Sequence, residues 1–440
     1  MTLKQYDNIN FELLNLVPSS ARNVLELGCA NGKLGEVFKS VNPDAQWTGV
    51  DYNPKALSEA AKRIDYIALV NLNHPDPDHL PGDNYDAIVM GDVLEHLNNP
   101  LDAMKFVHAV SSPDAQAFCC MPIMTNIGII ERMLLGDLSY DEYGLLDHTH
   151  IRFMSIASTI KLFLDSGWLP TIMVTRFVGI GDGVDKAAFT NALIDAATLL
   201  KIPRSTSERN LFSYQIWLQA CKSPVVQPGK TKFSVVVPVD NGTLYELNVR
   251  RSPGLAEVDA EIIPIYGATS AAAALAEGMA KATNKWILFC HQDLYIPAGS
   301  GHALSALFDM PDEEATRTLI GFAGMSNQEH HGLVIDRVNR YDHPRTDSAT
   351  SLDEIALALT KDSVHKIDPD LGWHMWAHDM CVHAPDRQGQ VRIERVPLFL
   401  NSVTENGPSE SFQASVDLLF QKHPHLTEIT ACTGTFTPKP

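Results

Sequence analysis

Long apolar runs, a signal segment and paired cysteines are missing from this sequence of 440 residues. No stretch reaches the roughly 18 apolar residues that a membrane-spanning helix requires. The first residues contain no apolar signal region, and the seven cysteines show neither zinc-ligand nor redox spacing. We therefore expect a cytoplasmic protein with reduced thiols and no transmembrane segment.

Basic residues are also scarce, since 34 Lys and Arg stand against 53 Asp and Glu, which gives a net charge of -19. This balance disfavours a nucleic-acid backbone as the main partner, although it is compatible with a nucleotide held through a metal ion. Hydrophobic residues make up 45% and charged residues 20% of the chain, as in soluble globular proteins. A chain of this length is expected to form two domains.

A glycine-containing turn near the start of the chain is the most informative motif. An apolar strand over residues 23–27 runs into Gly28 and Gly32, and a helical pattern follows. Glycine in such a turn allows close approach of a ligand to the backbone. The next strand, 46–50, ends in Asp51, and a carboxylate at this strand tip can accept both hydroxyls of a ribose. The spacing differs from G-x-G-x-x-G, so we predict a site for a nucleoside without phosphates.

Glu26, Gly28 and Gly32, followed by Asp51, resemble the Rossmann-like methyltransferases that use S-adenosylmethionine (SAM). The run over residues 85–97 resembles the fourth strand of the same family and the turn that follows it. The resemblance implies SAM as cofactor and assigns Gly28 and Gly32 to its binding turn. It also implies that Glu26 lies under the methionine portion or orients the turn, and that Asp51 binds the ribose.

Two further cofactor contacts follow from the resemblance. Tyr52 is expected beside the adenine, and Asn71, at the end of a third predicted strand, is expected to contact the adenine amine. A turn residue is the alternative interpretation of Asn71.

Three polar residues follow the fourth predicted strand at the cleft where acceptors enter: Asp92, Glu95 and His96. We assign Asp92 to the cofactor side of this cleft. Glu95 and His96 are candidates for accepting the proton of the acceptor. Local pairing of Glu95 and simple packing of His96 are the alternatives.

The run over residues 147–153 contains a second pair of histidines, His148 and His150. It resembles a motif of methyltransferases encoded beside polysaccharide genes, which implies that these histidines bind or deprotonate a sugar hydroxyl. Zinc is disfavoured, because neither a cysteine nor a third close ligand accompanies them. A structural ion pair between Asp147 and Arg152 is the alternative, and residues 126–143 resemble a lid over the acceptor site.

The alternation of strands and helices stops at a Pro/Gly-containing linker and then restarts, with buried strands predicted over residues 233–239, 261–266 and 286–290. The first half ends in a predicted edge strand over residues 212–220. We predict an α/β protein of two Rossmann-like domains: a SAM-methyltransferase fold at 1–222, a linker at 223–231 and a GT-A nucleotide-sugar fold at 232–440.

The GT-A assignment comes from a resemblance in the second half. A buried strand over residues 286–290 leads into His291, Gln292 and Asp293, and an alanine-rich helix precedes it. Together they resemble the inverting GT-A glycosyltransferases, in a subgroup related to a streptomycin-biosynthesis enzyme. The resemblance implies that Asp293, with His291, holds a divalent cation (Mn²⁺ or Mg²⁺) on the diphosphate of a nucleotide sugar.

An aromatic-rich turn farther along resembles the acceptor region of the same subgroup. It implies Asp379 as the general base, and Trp373 and Trp376 can stack on a sugar ring. A packed aromatic turn is the alternative. Two positions depart from the subgroup: Ala276 stands where an Asn supports the nucleotide, and Leu400 stands where a His completes the metal site. Either another group, such as His291 or Glu405, ligates the cation in its place, or metal binding is weak.

These features predict a bifunctional transferase of bacterial polysaccharide biosynthesis. It would methylate a sugar or glycan acceptor with SAM and transfer a sugar from a nucleotide sugar. Peripheral association with membrane-bound glycan machinery is left open. The alternatives are a methyltransferase whose second domain only binds a glycan or nucleotide sugar, and a scaffold without turnover.

Overall fold

A computed structural model describes residues 9–178, 185–224, 227–338, 340–403, 410–432 and 434–438. The chain divides into two compact units, Met1–Pro224 and Val225–Pro440. This division falls inside the predicted linker at 223–231, of which residues 225 and 226 lie outside the described residues. Glu405, a further candidate for the second metal site, also lies outside them.

The first unit contains seven strands and eight helices among its described residues. The strands are β1 (Asn23–Leu27), β2 (Gln46–Asp51), β3 (Tyr66–Leu69), β4 (Tyr85–Gly91), β5 (Ser111–Pro122), β6 (Trp168–Phe177) and β7 (Ser213–Lys222). The helices are α1 (Phe11–Leu14), α2 (Lys33–Val41), α3 (Pro54–Ala60), α4 (Pro100–Val110), α5 (Ile127–Leu135), α6 (Ile156–Asp165), α7 (Lys186–Leu199) and α8 (Arg204–Phe212).

These strands form one sheet in the order β3-β2-β1-β4-β5-β7-β6. The first five strands pair in parallel, as the alternating pattern predicts. The central strands β1 and β4 are neighbours, with Glu26 opposite Val89 and Leu27 opposite Met90. Carboxyl ends of parallel strands meet at one edge of the sheet, so the two motifs that follow β1 and β4 come together.

The predicted edge strand at 212–220 is corrected by this sheet. Strand β7 runs antiparallel between β5 and β6, and β6 forms the edge instead. Consecutive burial of Ile216, Trp217 and Leu218 fits an interior strand. The order of strands depends on pairing between distant segments, which local pattern does not reveal.

Two smaller differences concern the site. Strand β3 ends at Leu69, so Asn71 lies beyond the strand on which it was predicted. Helices α5 and α8 were not predicted, and α5 occupies part of the segment interpreted as a lid.

The second unit contains fourteen strands and seven helices in its described part. The strands are β8 (Phe233–Val239), β9 (Glu261–Tyr266), β10 (Trp286–Cys290), β11 (Leu294–Tyr295), β12 (Thr318–Gly321), β13 (Ala323–Ser326), β14 (Glu329–Ile335), β15 (Arg340–His343), β16 (Ser351–Leu352), β17 (Ala356–Thr360), β18 (Gln390–Ile393), β19 (Leu398–Leu400), β20 (Ile429–Ala431) and β21 (Gly434–Phe436). The helices are α9 (Gly242–Leu247), α10 (Pro253–Glu257), α11 (Ala271–Lys281), α12 (Ser300–Leu307), α13 (Asp312–Arg317), α14 (Trp376–His383) and α15 (Glu410–Lys422).

A mixed six-stranded sheet, ordered β18-β12-β17-β10-β8-β9, forms the centre of this unit. Strands β8, β9 and β10 are parallel and have the bounds predicted from their apolar runs. A second sheet, β11-β19-β14-β13-β16, pairs β15 along β14. In the part of the chain that the structure describes, no helix has the length and apolar character needed to cross a bilayer.

Candidate functional site

The glycine turn after β1 has the backbone geometry that favours glycine. Gly28 and Gly32 have φ angles of 68° and 77°, in the left-handed region, and Gly32 is the N-cap residue of α2. A Cβ on Gly28 would lie 2.9 Å from the side chain of Val93, in the turn after β4. The turn after β4 therefore packs against the glycine turn.

Asp51 points into this turn rather than into solvent. Its Oδ2 accepts a hydrogen bond from the backbone N–H of Ala30 at 3.0 Å, and its Oδ1 accepts one from Asn53 at 2.8 Å. The side chain is only 7% exposed. The strand-tip carboxylate and the glycine turn are thus one connected unit, as a nucleoside site at this place requires.

Glu26 is buried beneath the same turn, where its Oε2 accepts a hydrogen bond from the indole N–H of Trp47 at 2.8 Å. Burial raises the pKa of Glu26 to about 8, and the nearby Asp51 carboxylate adds to the effect. Of the two roles predicted for Glu26, this position fits support of the turn.

The two predicted adenine contacts lie on the surface. Tyr52 is 70% exposed directly after β2. Asn71 is exposed and its side chain accepts a hydrogen bond from the N–H of Asn73 at 3.0 Å. That bond is typical of a turn residue, which was the alternative interpretation of Asn71, and both cofactor contacts stay predictions.

The turn after β4 places Asp92 and Glu95 in different surroundings. Asp92 is exposed, and its Oδ1 accepts a hydrogen bond from the side-chain amide of Gln215 at 3.1 Å. Glu95 lies in a single 3-10 turn, Leu94–His96, and is fully buried. Burial raises the pKa of Glu95 well above its usual range, and Asp92 raises it further.

The loop over residues 147–152 is bound to this turn through main-chain groups. The carbonyl oxygen of Glu95 accepts hydrogen bonds from the N–H groups of Ile151 and Arg152, each at 3.0 Å. The Nδ1 atom of His96 lies 3.0 Å from the carbonyl oxygen of Thr149. These bonds hold two motifs together that are about fifty residues apart in sequence.

Only one of the two loop histidines joins the site. His150 is 9% exposed, and its ring lies 5.0 Å from that of His96, whereas His148 is exposed and pairs with Asp147 at 3.5 Å. The Nε2 atom of His150 lies 3.9 Å from Oε1 of Glu95. The sequence predicted no third ligand close to the two loop histidines. For His150 this expectation is wrong, because the fold brings Glu95 and His96 from another segment of the chain next to it.

The alternative structural pair in this loop also differs from expectation. Asp147 accepts hydrogen bonds from the N–H and hydroxyl of Thr149 at 2.8 and 2.6 Å. Arg152 donates to the carbonyl oxygen of Asn98 instead of pairing with Asp147.

A cavity of about 190 Å³ opens beside these residues. Its wall is formed by Asp92, Pro122, Tyr143, Gly144, Leu145, Asp147, His150, Tyr214 and Gln215. Tyr214 and Gln215 were not predicted, since they belong to β7, which the sequence indicated as an edge strand.

A second polar centre lies after β10, in the second unit. Asp293 is 8% exposed, its Oδ1 has no hydrogen-bond partner among the described residues, and His291 Nδ1 lies 3.9 Å from that atom. Gln292 accepts hydrogen bonds from the N–H groups of Asp240 and Asn241 at 3.1 and 2.9 Å, which ties the loop after β8 to this turn.

The two departures noted in the sequence lie on exposed or half-buried backbone. Ala276 is exposed on α11, and Leu400, half-buried, pairs with Leu294 at the end of β19. Neither side chain offers a ligand to the Asp293 centre.

Asp379, the predicted base, is only 1% exposed on α14. Its Oδ1 lies 2.7 Å from Nε2 of His423 and 3.7 Å from Nε2 of His383. Trp376 is 3% exposed and packs edge-on against Phe289, so its predicted stacking on a sugar is wrong. Trp373 is 40% exposed and stays a candidate for that contact.

Comparison with known proteins supports the methyltransferase assignment of the first half of the chain. Residues 4–169 match the sequence profile of the methyltransferase domain family. No curated protein sequence matches the chain.

Several solved methyltransferases are structurally similar. A SAM-dependent methyltransferase from Archaeoglobus fulgidus shows 15% identity and a TM-score of 0.33 over 46% of this chain and 87% of its own. One from Mesorhizobium loti shows 16% identity and a TM-score of 0.32 over 48% and 96%. The plantazolicin methyltransferase BpumL, in complex with S-adenosylhomocysteine (SAH), shows 15% identity and a TM-score of 0.33 over 50% of this chain and 88% of its own. The methyltransferase assignment rests on the sequence-profile match over residues 4–169, not on these structural similarities.

Proposed function

We propose that the first unit transfers a methyl group from SAM to a hydroxyl of a sugar or glycan. The observation that carries the cofactor assignment is the buried Asp51 carboxylate, bonded to Ala30 inside the glycine turn. A carboxylate fixed in this way can receive the ribose hydroxyls without reorganising. SAM, when bound, supplies an electrophilic methyl group on a cationic sulfonium.

The acceptor assignment rests on the cavity beside His150. Its wall combines the Asp92 and Asp147 carboxylates with the Tyr143 and Tyr214 rings. Polar hydrogen-bonding groups beside aromatic faces suit a sugar, whose faces are apolar and whose edges carry hydroxyls. His150 belongs to this wall and its ring lies 5.0 Å from that of His96, so both imidazoles would be close to a hydroxyl bound there. His148 is exposed and is not among the residues of the wall.

For the second unit we propose binding of a nucleotide sugar through a divalent cation at Asp293 and His291. The buried, unpartnered oxygen of Asp293 supports this assignment, since a cation is one way to compensate it. Transfer of the sugar with Asp379 as base would make the chain bifunctional, and both steps would then serve polysaccharide synthesis.

A second candidate for this unit is a binding module without turnover. Three observations favour it: Asp379 is almost fully buried against two histidines, Leu400 cannot ligate a cation, and Ala276 offers no polar group. A general base must come within hydrogen-bond distance of its acceptor, which burial of Asp379 opposes.

The cofactor proposal is tested by isothermal titration of the full chain with SAH. Asp51→Asn retains the size of the side chain but removes the charge that accepts the ribose hydroxyls. We expect the Kd to rise roughly 10- to 100-fold, the cost of losing charge-assisted hydrogen bonds. Asp44→Asn, at an exposed position between α2 and β2, is the matched control and should bind SAH like the wild type. Equal affinity of the Asp51 variant would refute the assignment.

A further inference from the structure

Glu95 is a buried carboxyl group without a compensating contact. It is 0% exposed, and neither side-chain oxygen has a hydrogen-bond partner among the described residues. Burying a carboxylate in this state costs several kcal/mol or more, so such a group is normally protonated, paired or bound to a cation. A hydrogen bond to the nearest imidazole is not formed, because His150 Nε2 is 3.9 Å away.

The two neighbouring histidines are oriented by the main chain. His96 Nδ1 lies 3.0 Å from the carbonyl oxygen of Thr149, and His150 Nδ1 lies 3.0 Å from that of Leu145. A carbonyl oxygen can only accept, so each Nδ1 must donate its proton. In the neutral imidazoles, Nε2 is then the atom with a free lone pair. Metal-binding histidines are commonly fixed in this way.

The geometry brings these groups to one point. One ligand atom from each of Glu95, His96 and His150 lies within 4.8 Å of the others. An ion bound at about 2.1 Å holds neighbouring ligand atoms roughly 3–3.5 Å apart, so a small inward movement of the three side chains completes the set.

We propose that Glu95, His96 and His150 bind one divalent first-row transition-metal ion. Two imidazole nitrogens and one carboxylate oxygen favour Zn²⁺, Co²⁺, Mn²⁺ or Fe²⁺ over Ca²⁺ or Mg²⁺. Three protein ligands leave coordination positions open, and His150 is also part of the wall of the acceptor cavity. An acceptor oxygen can occupy one of these positions.

The catalytic meaning of this site rests on the proposed methyltransferase function, whereas ion binding itself does not. Coordination lowers the pKa of a hydroxyl, so the acceptor loses its proton to water more readily. The resulting oxygen nucleophile forms a bond to the methyl carbon of SAM. The carbon–sulfur bond breaks with its electron pair on sulfur, which leaves SAH. An acceptor with two adjacent hydroxyls would chelate the ion through both oxygens.

The test measures metal content and cofactor binding separately on the full chain. The protein is stripped with EDTA, titrated with Zn²⁺ and Co²⁺, and its bound metal is counted by mass spectrometry, while titration with SAH is performed in parallel. We expect Glu95→Gln and His150→Ala to raise the Kd for one equivalent of metal ion more than about 100-fold. Removal of a hydrogen-bond partner of a ligand, by comparison, costs about 10- to 100-fold in metal affinity. Co²⁺ bound to the wild type should show visible absorption bands that both variants lack.

The matched control is His148→Ala, two residues from His150 but exposed, which should retain this equivalent. Asp293→Asn removes the cation site proposed for the second unit and should also retain it. Retained SAH affinity in Glu95→Gln shows that the variant is folded. Normal SAH binding with unchanged metal content in both ligand variants would overturn the metal site alone. Failure of the wild-type protein to bind SAH would overturn the proposed function alone.

Discussion

The Glu26 carboxyl group under the glycine turn makes stability dependent on pH. Its pKa is about 8 in the folded protein, against an ordinary value of 4.5. The folded state therefore binds a proton more tightly than the unfolded state. This contribution is fully present below about pH 4.5 and is lost as the pH rises through about 8, by at most about 5 kcal/mol.

We expect Glu26→Gln to remove this dependence, since glutamine accepts the Trp47 N–H without titrating. The difference between variant and wild-type unfolding free energy should grow in favour of the variant from about pH 5 to pH 8.5. Urea unfolding followed by Trp fluorescence measures it, and Glu12→Gln, at an exposed position, is the control. A constant difference between the two proteins across this range would show that Glu26 is ionised in the folded state.

Some residues of the site follow from the sequence and others do not. The spacing of Gly28, Gly32 and Asp51 predicts a shared turn because the residues lie at adjacent strand ends. The proximity of Glu95 to His150 depends on main-chain hydrogen bonds between segments distant in sequence. Neither residue carries a local signal of the other, so the sequence showed two histidines on one loop and disfavoured zinc there.

At the scale of elements, helix α11 packs closely against strand β8 in the second unit, and a glycine, Gly278, makes this contact possible. A Cβ on Gly278 would lie 2.2 Å from Cγ1 of Val236. Gly278 is buried, and Val236 belongs to a hydrophobic core in which space cannot open without moving other groups.

We expect Gly278→Ala to destabilise the second unit by about 1–3 kcal/mol, because the overlap outweighs the better helix propensity of alanine. Gly242→Ala, at the start of α9, has no atom within 4 Å of the added carbon and serves as the control. Chemical denaturation of both variants gives the comparison. A Gly278→Ala protein as stable as the control would mean that α11 moves away from the sheet at little cost.

Elements differ in how far the sequence determines them. Strands β8, β9 and β10 were predicted with their bounds because continuous apolar runs between polar segments are typical of buried parallel strands. Helix α8 has few apolar residues on a regular face, and β7 lies between strands that are distant in sequence. The formation of α8 and the place of β7 within the sheet depend on tertiary contacts, which periodicity does not encode.

At the scale of the whole molecule, the two units have separate hydrophobic cores and separate candidate sites. A ligand stabilises the state to which it binds, by an amount that grows with the logarithm of its concentration over its Kd. Each proposed donor should therefore protect its own unit.

We expect hydrogen exchange of the full chain to slow within residues 1–224 on addition of SAH. A nucleoside diphosphate with Mn²⁺ should slow exchange within residues 225–440, and Asp293→Ala should abolish this second effect. Protection by SAH alone would favour the alternative in which the second unit is a glycan-binding module without turnover. Where both ligands protect, hydrolysis of a UDP-sugar by Asp379→Ala and by the wild type decides the role of Asp379, and equal rates would exclude it as the base.

The two imidazoles near Glu95 are held by carbonyl oxygens of Thr149 and Leu145, atoms that every amino acid possesses. Substitution of Thr149 or Leu145 leaves the carbonyl oxygen in place, so the tautomer of each imidazole does not depend on which side chain stands at these positions. Engineering of the acceptor cavity can thus replace Leu145, one of its lining residues, without changing which nitrogen of His150 donates and which accepts.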